Sequence, residues 1–286
     1  MLTVAWMLAH EPMLRLGTFV GVFALVAGAE ALAPRRARQY KRLQRWPHNF
    51  ALVALNTVLA RLAFPLAVIA FAAMAAERGW GLFNLFEVPF AIALLASLLA
   101  LDLTIYLQHV MFHAVPLLWR LHRVHHSDPD FDVTTGARFH PLEILLSNCI
   151  KFGAIALLGP PVVAVLMFEI LLNATAMFNH ANLRLPTAFD RILRRVLVTP
   201  DMHRVHHSSV PAEANSNFGF NLPWWDHLFG TYRAQPVLGH ARMDIGVSGI
   251  NGLGRIALPA LLAMPFSDGR TGHAIGHRFE AHHEPR

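Results

Sequence analysis

Ten of the 18 histidines lie between His109 and His207, and eight of those ten stand in three clusters. His109-Val-Met-Phe-His113 closes an apolar run, and His122-Arg-Val-His125-His126 and His203-Arg-Val-His206-His207 follow it. Residues at i, i+3 and i+4 share one helix face, so each cluster stacks its imidazoles on one side. The strings Leu121-His-Arg-Val-His-His-Ser127 and Met202-His-Arg-Val-His-His-Ser208 are near-duplicates, which predicts two equivalent half-sites. Imidazole suits iron, zinc, copper and nickel. Eight ligands are too many for one ion of four to six coordination. They suit two ions about 3.5–4 Å apart that share an oxygen-derived ligand. Soluble di-iron bundles rely on carboxylates and paired Glu-x-x-His motifs, and those pairs are missing here. Imidazoles this dense would repel one another when protonated and gain little from packing, so metal ligation is the reading adopted. His10, His48, His227 and His240 are isolated and read as interface or surface residues. His273, His277, His282 and His283 read as part of a solvated tail.

The elements that position these clusters are apolar. The chain has 286 residues, 55% hydrophobic and only 15% charged, against about 25% charged in an average soluble domain. Lipid is therefore the solvent for much of it. About 20 apolar residues cross a bilayer. Residues 13–33 read as an uncleaved anchor, 50–75 as a second span interrupted by Arg61 and Pro65, and 88–108 as a third. Residues 144–178 read as a hairpin broken at Gly159-Pro160-Pro161, either re-entrant or fully spanning. Residues 253–265 read as an interfacial segment. The basic run Arg35, Arg36, Arg38, Lys41, Arg42 and Arg45 flanks the first span, so it reads as a cytoplasmic loop facing lipid rather than a nucleic-acid surface. Counting spans from that loop puts every histidine cluster on the cytoplasmic side. The fold expected is all-α, an integral membrane helical bundle with a cytoplasmic-side helical cap that carries the metals. Its expected parts are residues 1–87, membrane helices and basic loop; 88–235, the catalytic domain; and 236–286, an interfacial segment and polar tail. Asp102 lies inside the third span, two turns before His109. A carboxylate there is costly and points to function, such as orienting an imidazole through its second N–H.

The pattern Asp102-x3-Tyr106-x2-His109-x3-His113, His122-x2-His125-His126 and His203-x2-His206-His207, closed by Asn217-Phe-Gly-Phe-Asn-Leu-Pro-Trp-Trp-Asp226-His-Leu-Phe-Gly-Thr-Tyr232, resembles the fatty acid hydroxylase and sterol desaturase superfamily. The likeness covers residues from about 95 to 233. It implies that the eight histidines are metal ligands and that His180, in Phe-Asn-His180-Ala-Asn182, is another. The segment Arg138-Phe-His140-Pro-Leu-Glu143 resembles a recurring element of bacterial members, with His140 a ligand or a neighbour of one. Asp226 joins Asp102 as a candidate acidic residue of the site, with Asp201 weaker. Trp224 and Trp225 read as interface anchors or as lining the substrate's way in.

Side chains alone cannot break an unactivated C–H bond, so a redox metal must carry the chemistry. The resemblance implies two iron ions (zinc possible as isolated), dioxygen as co-substrate and a lipid to be hydroxylated or desaturated: a sterol, fatty acyl chain, ether lipid or carotenoid. Cys149 is the only cysteine, which excludes a Cys-ligated iron–sulfur cluster within one chain. With no Gly-x-Gly-x-x-Gly fingerprint or haem domain either, electrons must come from a separate donor protein, and the basic loop is a candidate dock for it. The competing expectations are a membrane metal transporter, whose site would lie near the bilayer midplane between repeats, and a zinc-dependent lipid hydrolase, which needs only three ligands and an open position.

Overall fold

The computed structural model describes residues 3–64, 66–86, 88–250, 254 and 256–267. Helices follow one another as α1 (Val4–Ala9), α2 (Glu11–Leu32), α3 (Arg42–Ala63), α4 (Val68–Glu77), α5 (Leu82–Leu85), α6 (Phe90–Ala114), α7 (Pro116–His126), α8 (Pro141–Leu158), α9 (Val162–Asn179), α10 (Thr187–Leu193), α11 (Pro200–His206), α12 (Pro211–Ala214), α13 (Trp224–Leu228), α14 (Gly239–Arg242) and α15 (Leu258–Ala263). The described residues contain no strand, only two isolated bridges. Five segments are long and apolar enough to cross a membrane: α2, the stretch from α3 through α5, α6, α8 and α9. Their outer faces expose Val20, Leu25, Ile92, Leu95 and Leu157, as lipid-facing helices should. The protein is a multi-pass membrane protein.

Prolines and glycines set the turns. The expected hairpin breaks where Gly159 takes a left-handed conformation (φ 64°) and Pro160-Pro161 prevents the helix from continuing. Both arms are of spanning length. A Cβ on Gly81 would sit 2.1 Å from the Gly159 backbone nitrogen, so this end of the bundle closes on a glycine–glycine approach. The second span divides into α3 and α4 near Phe64; Pro65 itself is outside the described residues. Pro116 opens α7 directly after Val115, which folds α7 back along α6. Ala72, Leu101, Ile105, Ile155, Val165 and Phe168 form the core between α4, α6, α8 and α9.

The basic loop and all three histidine clusters lie at one end of the bundle, as the span count required. Most of the loop's cations are already paired. Arg35 bonds Asp201 at 3.0 Å, Arg42 bonds Glu30 at 3.0 Å, and Arg36 donates to the Met243 carbonyl at 2.8 Å. Arg45 is fully buried and clamps Asp128 and Asp132, each at 2.7 Å. The loop thus fastens the N-terminal helices to the cap, and it offers an electron donor few free charges. The expected interfacial segment is α15, which folds back so that Leu261 and Met264 pack on Leu52 and Val124. Leu253 and Arg255, and the tail after Ser267, are outside the described residues.

Candidate metal centre

Antiparallel packing of α6 against α7 brings their histidine faces together. His109 meets His122 and His113 meets His126, with Nε2 atoms 3.1 Å apart in each pair. The end of α9 supplies His180, whose Nε2 lies 3.1 Å from the Nε2 atoms of both His125 and His203. Nine imidazoles form two groups: His109, His113, His122, His126 and His206 in one, His125, His180, His203 and His207 in the other. All are buried.

The duplicated motif acquires a geometric meaning here. His122 and His126 serve the first group while His125 crosses to the second. His203 and His207 serve the second while His206 crosses to the first. Each repeat gives its i and i+4 imidazoles to one group and its i+3 imidazole to the other. The shared Arg and Val also recur in role. Val124 and Val205 are fully buried, and Arg123 and Arg204 each donate to a backbone carbonyl, of Met264 and of Ala181.

Hydrogen bonds fix the tautomers. A carbonyl can only accept, so His109 Nδ1 donates to Phe218 O (2.7 Å), His206 Nδ1 to Ser216 O (2.8 Å) and His180 Nδ1 to Ala176 O (2.7 Å). His122 Nδ1 donates to Glu143 Oε1 (2.6 Å), and His113 Nδ1 to Asn215 Oδ1 (3.2 Å). Each of these rings then presents a bare lone pair at Nε2. Lone pairs of His109 and His122 facing each other at 3.1 Å repel unless a cation lies between them. An ion with metal–nitrogen bonds of about 2.1 Å sets neighbouring ligand nitrogens roughly 3.0–3.4 Å apart, so the spacing fits. His206 Nε2 and both ring nitrogens of His207 are buried with no protein partner. Burial pushes His122 down to about 3 and holds His125, His126, His203, His206 and His207 well below the ordinary imidazole range, helped in the last five by neighbouring imidazoles. The rings are neutral at physiological pH, the form a metal requires. The residues fit a pair of metal ions.

Two acidic candidates stand outside the imidazole shell. Asp102 accepts from Asn221 Nδ2 (2.8 Å), Leu222 N (3.2 Å) and Trp225 Nε1 (2.9 Å), and from no imidazole, so the expected imidazole-orienting bond is not formed. Asp226 accepts from the backbone N–H groups of Phe218 (2.8 Å) and Gly219 (2.9 Å). Asp201 pairs with Arg35 and Arg204. Asp226 thus holds the end of the segment Asn215–Phe218, whose oxygens receive the N–H groups of His109, His113 and His206, while Asp102 holds the following residues Asn221, Leu222 and Trp225. Asn217 is the only non-glycine in the left-handed region among the described residues (φ 53°), held by bonds to Met202 O and Arg233 O. Trp225 is tied to Asp102, whereas Trp224 is half exposed.

His140 is not brought to either group. Its Nδ1 caps α8 by accepting from Leu142 N, and its Nε2 faces Leu262 O. The residue of that motif which reaches one of the nine imidazoles is Glu143. The sequence motif gives Glu143 no role, because the packing of α8 against α7, and not residue type, turns it toward His122. His240 is buried beside Asp201 rather than at the surface. His273, His277, His282 and His283 are outside the described residues. We expect His140→Ala to keep its full metal content, and a chain cut after Ser267 to do the same. The cut must spare Ser267, whose backbone oxygen accepts from Arg123 at 3.0 Å. Metal analysis of both purified variants is the check; loss of an ion from either moves the site's boundary.

A cavity of about 980 Å³ runs from His109 and His122 between α2, α3, α8 and α9. Phe112, Phe139, Ala176 and Phe220 line its inner end, and Phe19, Phe64, Ile170 and Met177 are among the apolar residues of its wall.

The Fatty acid hydroxylase family model matches residues 94–231. The ornithine lipid hydroxylase OlsE of Rhizobium tropici is 32% identical over 66% of this chain and 54% of its own. The human alkylglycerol monooxygenase is 30% identical over 54% of this chain and 34% of its own, and the human cholesterol 25-hydroxylase 25% over 50% and 52%. The chain thus spans about half the length, or less, of these curated relatives. No solved structure gives a significant match. Residues 94–231, which carry every histidine of the two imidazole groups, match the fatty acid hydroxylase family.

Proposed function

We propose that the protein is a membrane-bound lipid hydroxylase with two iron ions, one in each imidazole group. The observation that carries this is the convergence of nine buried imidazoles at the inner end of a cavity set among spanning helices, a cavity that His109 and His122 line. Bound iron would supply the activation of dioxygen that no side chain can provide. The reaction takes a C–H bond, O2, two electrons and two protons to an alcohol and water, with the electrons delivered by a separate donor protein. The chain's own residues do the rest. The imidazoles hold the ions, and Glu143, Phe218 O and Ser216 O orient the rings. The aromatic inner wall excludes bulk water, and the spanning helices present the lipid.

The names of the relatives favour hydroxylation over desaturation. Ornithine lipid, alkylglycerol and cholesterol all carry a polar group, which narrows the substrate class to polar lipids. A transporter site near the midplane does not match a centre at one end of the bundle, and nine ligands exceed what a zinc hydrolase uses. Metal analysis together with mass spectrometry of cellular lipids under 18O2 tests the reading. Two irons per chain and a lipid gaining one labelled oxygen are expected; zinc alone with no labelled product would overturn it.

We place the metal end on the cytoplasmic side, on the strength of the basic loop. In a Cys149→Ser background, a cysteine at Arg38 should react with an impermeant thiol reagent from the cytoplasmic side only. One at Arg78 should react from the opposite side. Reaction of the Arg38 position from outside would reverse the orientation.

A further inference from the structure

The cavity that reaches His109 and His122 is polar along one side. Glu143, Ser147 and Lys151 stand at i, i+4 and i+8 on α8, one above another, and all three line it. At a helical rise of about 1.5 Å per residue the row extends about 12 Å into the bilayer. Asn56 of α3 lines the same space. Polar side chains within a spanning helix are costly and mark substrate pathways, and an acyl chain would gain nothing from such a row.

Two acceptors near the metal end, on α3 and α8, lack donors, as does Gln108 Oε1 of α6. Glu143 is 3% exposed; His122 takes its Oε1, and its Oε2 has no partner. Asn56 is 8% exposed; its Nδ2 donates to Phe139 O at 2.9 Å, so the amide is oriented and Oδ1 is left without a partner. Natural proteins satisfy nearly all buried acceptors, so these two await a donor from whatever fills the cavity. The far end of the row is already closed. Lys151 Nζ lies 2.8 Å from Glu169 Oε1, and Arg15 lies 3.8 Å from the other Glu169 oxygen. Charge limits what the donor can be. Two divalent ions among neutral imidazoles form a strongly positive centre, which repels an ammonium at short range. A hydroxyl or an amide N–H supplies the hydrogen bond without adding charge.

We propose that Glu143, Ser147 and Asn56 form a headgroup subsite for an uncharged hydrogen-bond donor on the lipid, a hydroxyl or an amide N–H. The headgroup then lies beside the metals and the alkyl part along Phe19, Phe64, Ile170 and Met177. The oxidised C–H bond belongs to the headgroup or to the carbon next to it. This rests on the reading of the protein as a lipid hydroxylase.

The test uses the full-length, iron-loaded protein in nanodiscs. Binding is read by native mass spectrometry for 1-O-hexadecylglycerol against its di-O-methyl ether, and for N-hexadecylacetamide against its N-methyl derivative. At least tenfold weaker binding of a capped compound is expected. The pair showing it identifies hydroxyl or amide as the donor. The variants Asn56→Leu and Ser147→Ala should bring each pair to within about twofold while keeping two metals per chain. Equal binding of capped and uncapped compounds by the unaltered protein would overturn the subsite and leave it holding water only. Selectivity that survives in both variants would overturn it as well. In cells, fragmentation of the 18O-labelled product should place the oxygen in the headgroup or on the adjoining carbon. A label in mid-chain defeats this inference alone, whereas no labelled lipid with binding selectivity intact defeats the hydroxylase reading and leaves the subsite standing.

Discussion

Replacing His125 by alanine is expected to abolish activity and to lower the metal content from about two ions per chain to about one. His125 is the single imidazole that the first repeat sends across to the second group. Without it, that group retains His180, His203 and His207, and only His180 has its N–H fixed by a protein acceptor. His206→Ala is the mirror substitution, and the duplication taken alone would predict an identical loss. The structure predicts otherwise. The first group would still hold His109, His113, His122 and His126, three of them oriented by hydrogen bonds. His206→Ala should therefore keep more metal than His125→Ala. Both should lose activity by more than about 100-fold, since losing even a residue that orients a ligand costs about 10–100-fold. Metal counting and turnover of both variants provide the check. Two ions and full turnover in His125→Ala would remove the crossing pattern from the account.

Much of the candidate centre was legible in the sequence because its histidines announce themselves through side-chain type and helical spacing. His109 and His113, the two repeats and His180 all lie where the pattern placed them. So do the hairpin at Gly159-Pro160-Pro161 and the common end of the bundle shared by the basic loop and the clusters. The crossing of the i+3 histidines was not legible. Spacing assigns residues to a helix face but does not say which of two neighbouring ions a face member reaches. The orienting groups were harder still. Phe218 O, Ser216 O and Ala176 O act through the backbone, and backbone acceptors leave no residue-type signature. Asp102 and Asp226 were found as unusual carboxylates but expected beside imidazoles. Their partners turned out to be N–H groups of the closing segment, one step further from the metals. His140 looked like a ligand through its neighbours, yet Pro141 begins α8 and leaves His140 as the residue that caps it.

Stepwise removal of the metals should follow from the same asymmetry. In the first group, His109, His113, His122 and His206 each donate Nδ1–H to a protein oxygen. In the second, His180 alone does so, while His125, His203 and His207 have buried Nδ1 atoms without a partner. A ring held by an acceptor is fixed in tautomer and orientation and is the more basic ligand, and each such contact is worth about 10–100-fold in metal affinity. Titration with a chelator should release one ion per chain at a chelator concentration at least about tenfold below that needed for the other. The retained ion should be the one bound by the first group. The variant Asp226→Ala tests the assignment. It removes the carboxylate that holds Phe218 N and Gly219 N, and so loosens the segment that orients His109, His113 and His206. The tight step should weaken toward the loose one while the loose step stays in place. Release of both ions in a single step from the unaltered protein, or an Asp226→Ala variant that weakens only the loose step, would mean that the hydrogen bonds around the first group do not set its affinity.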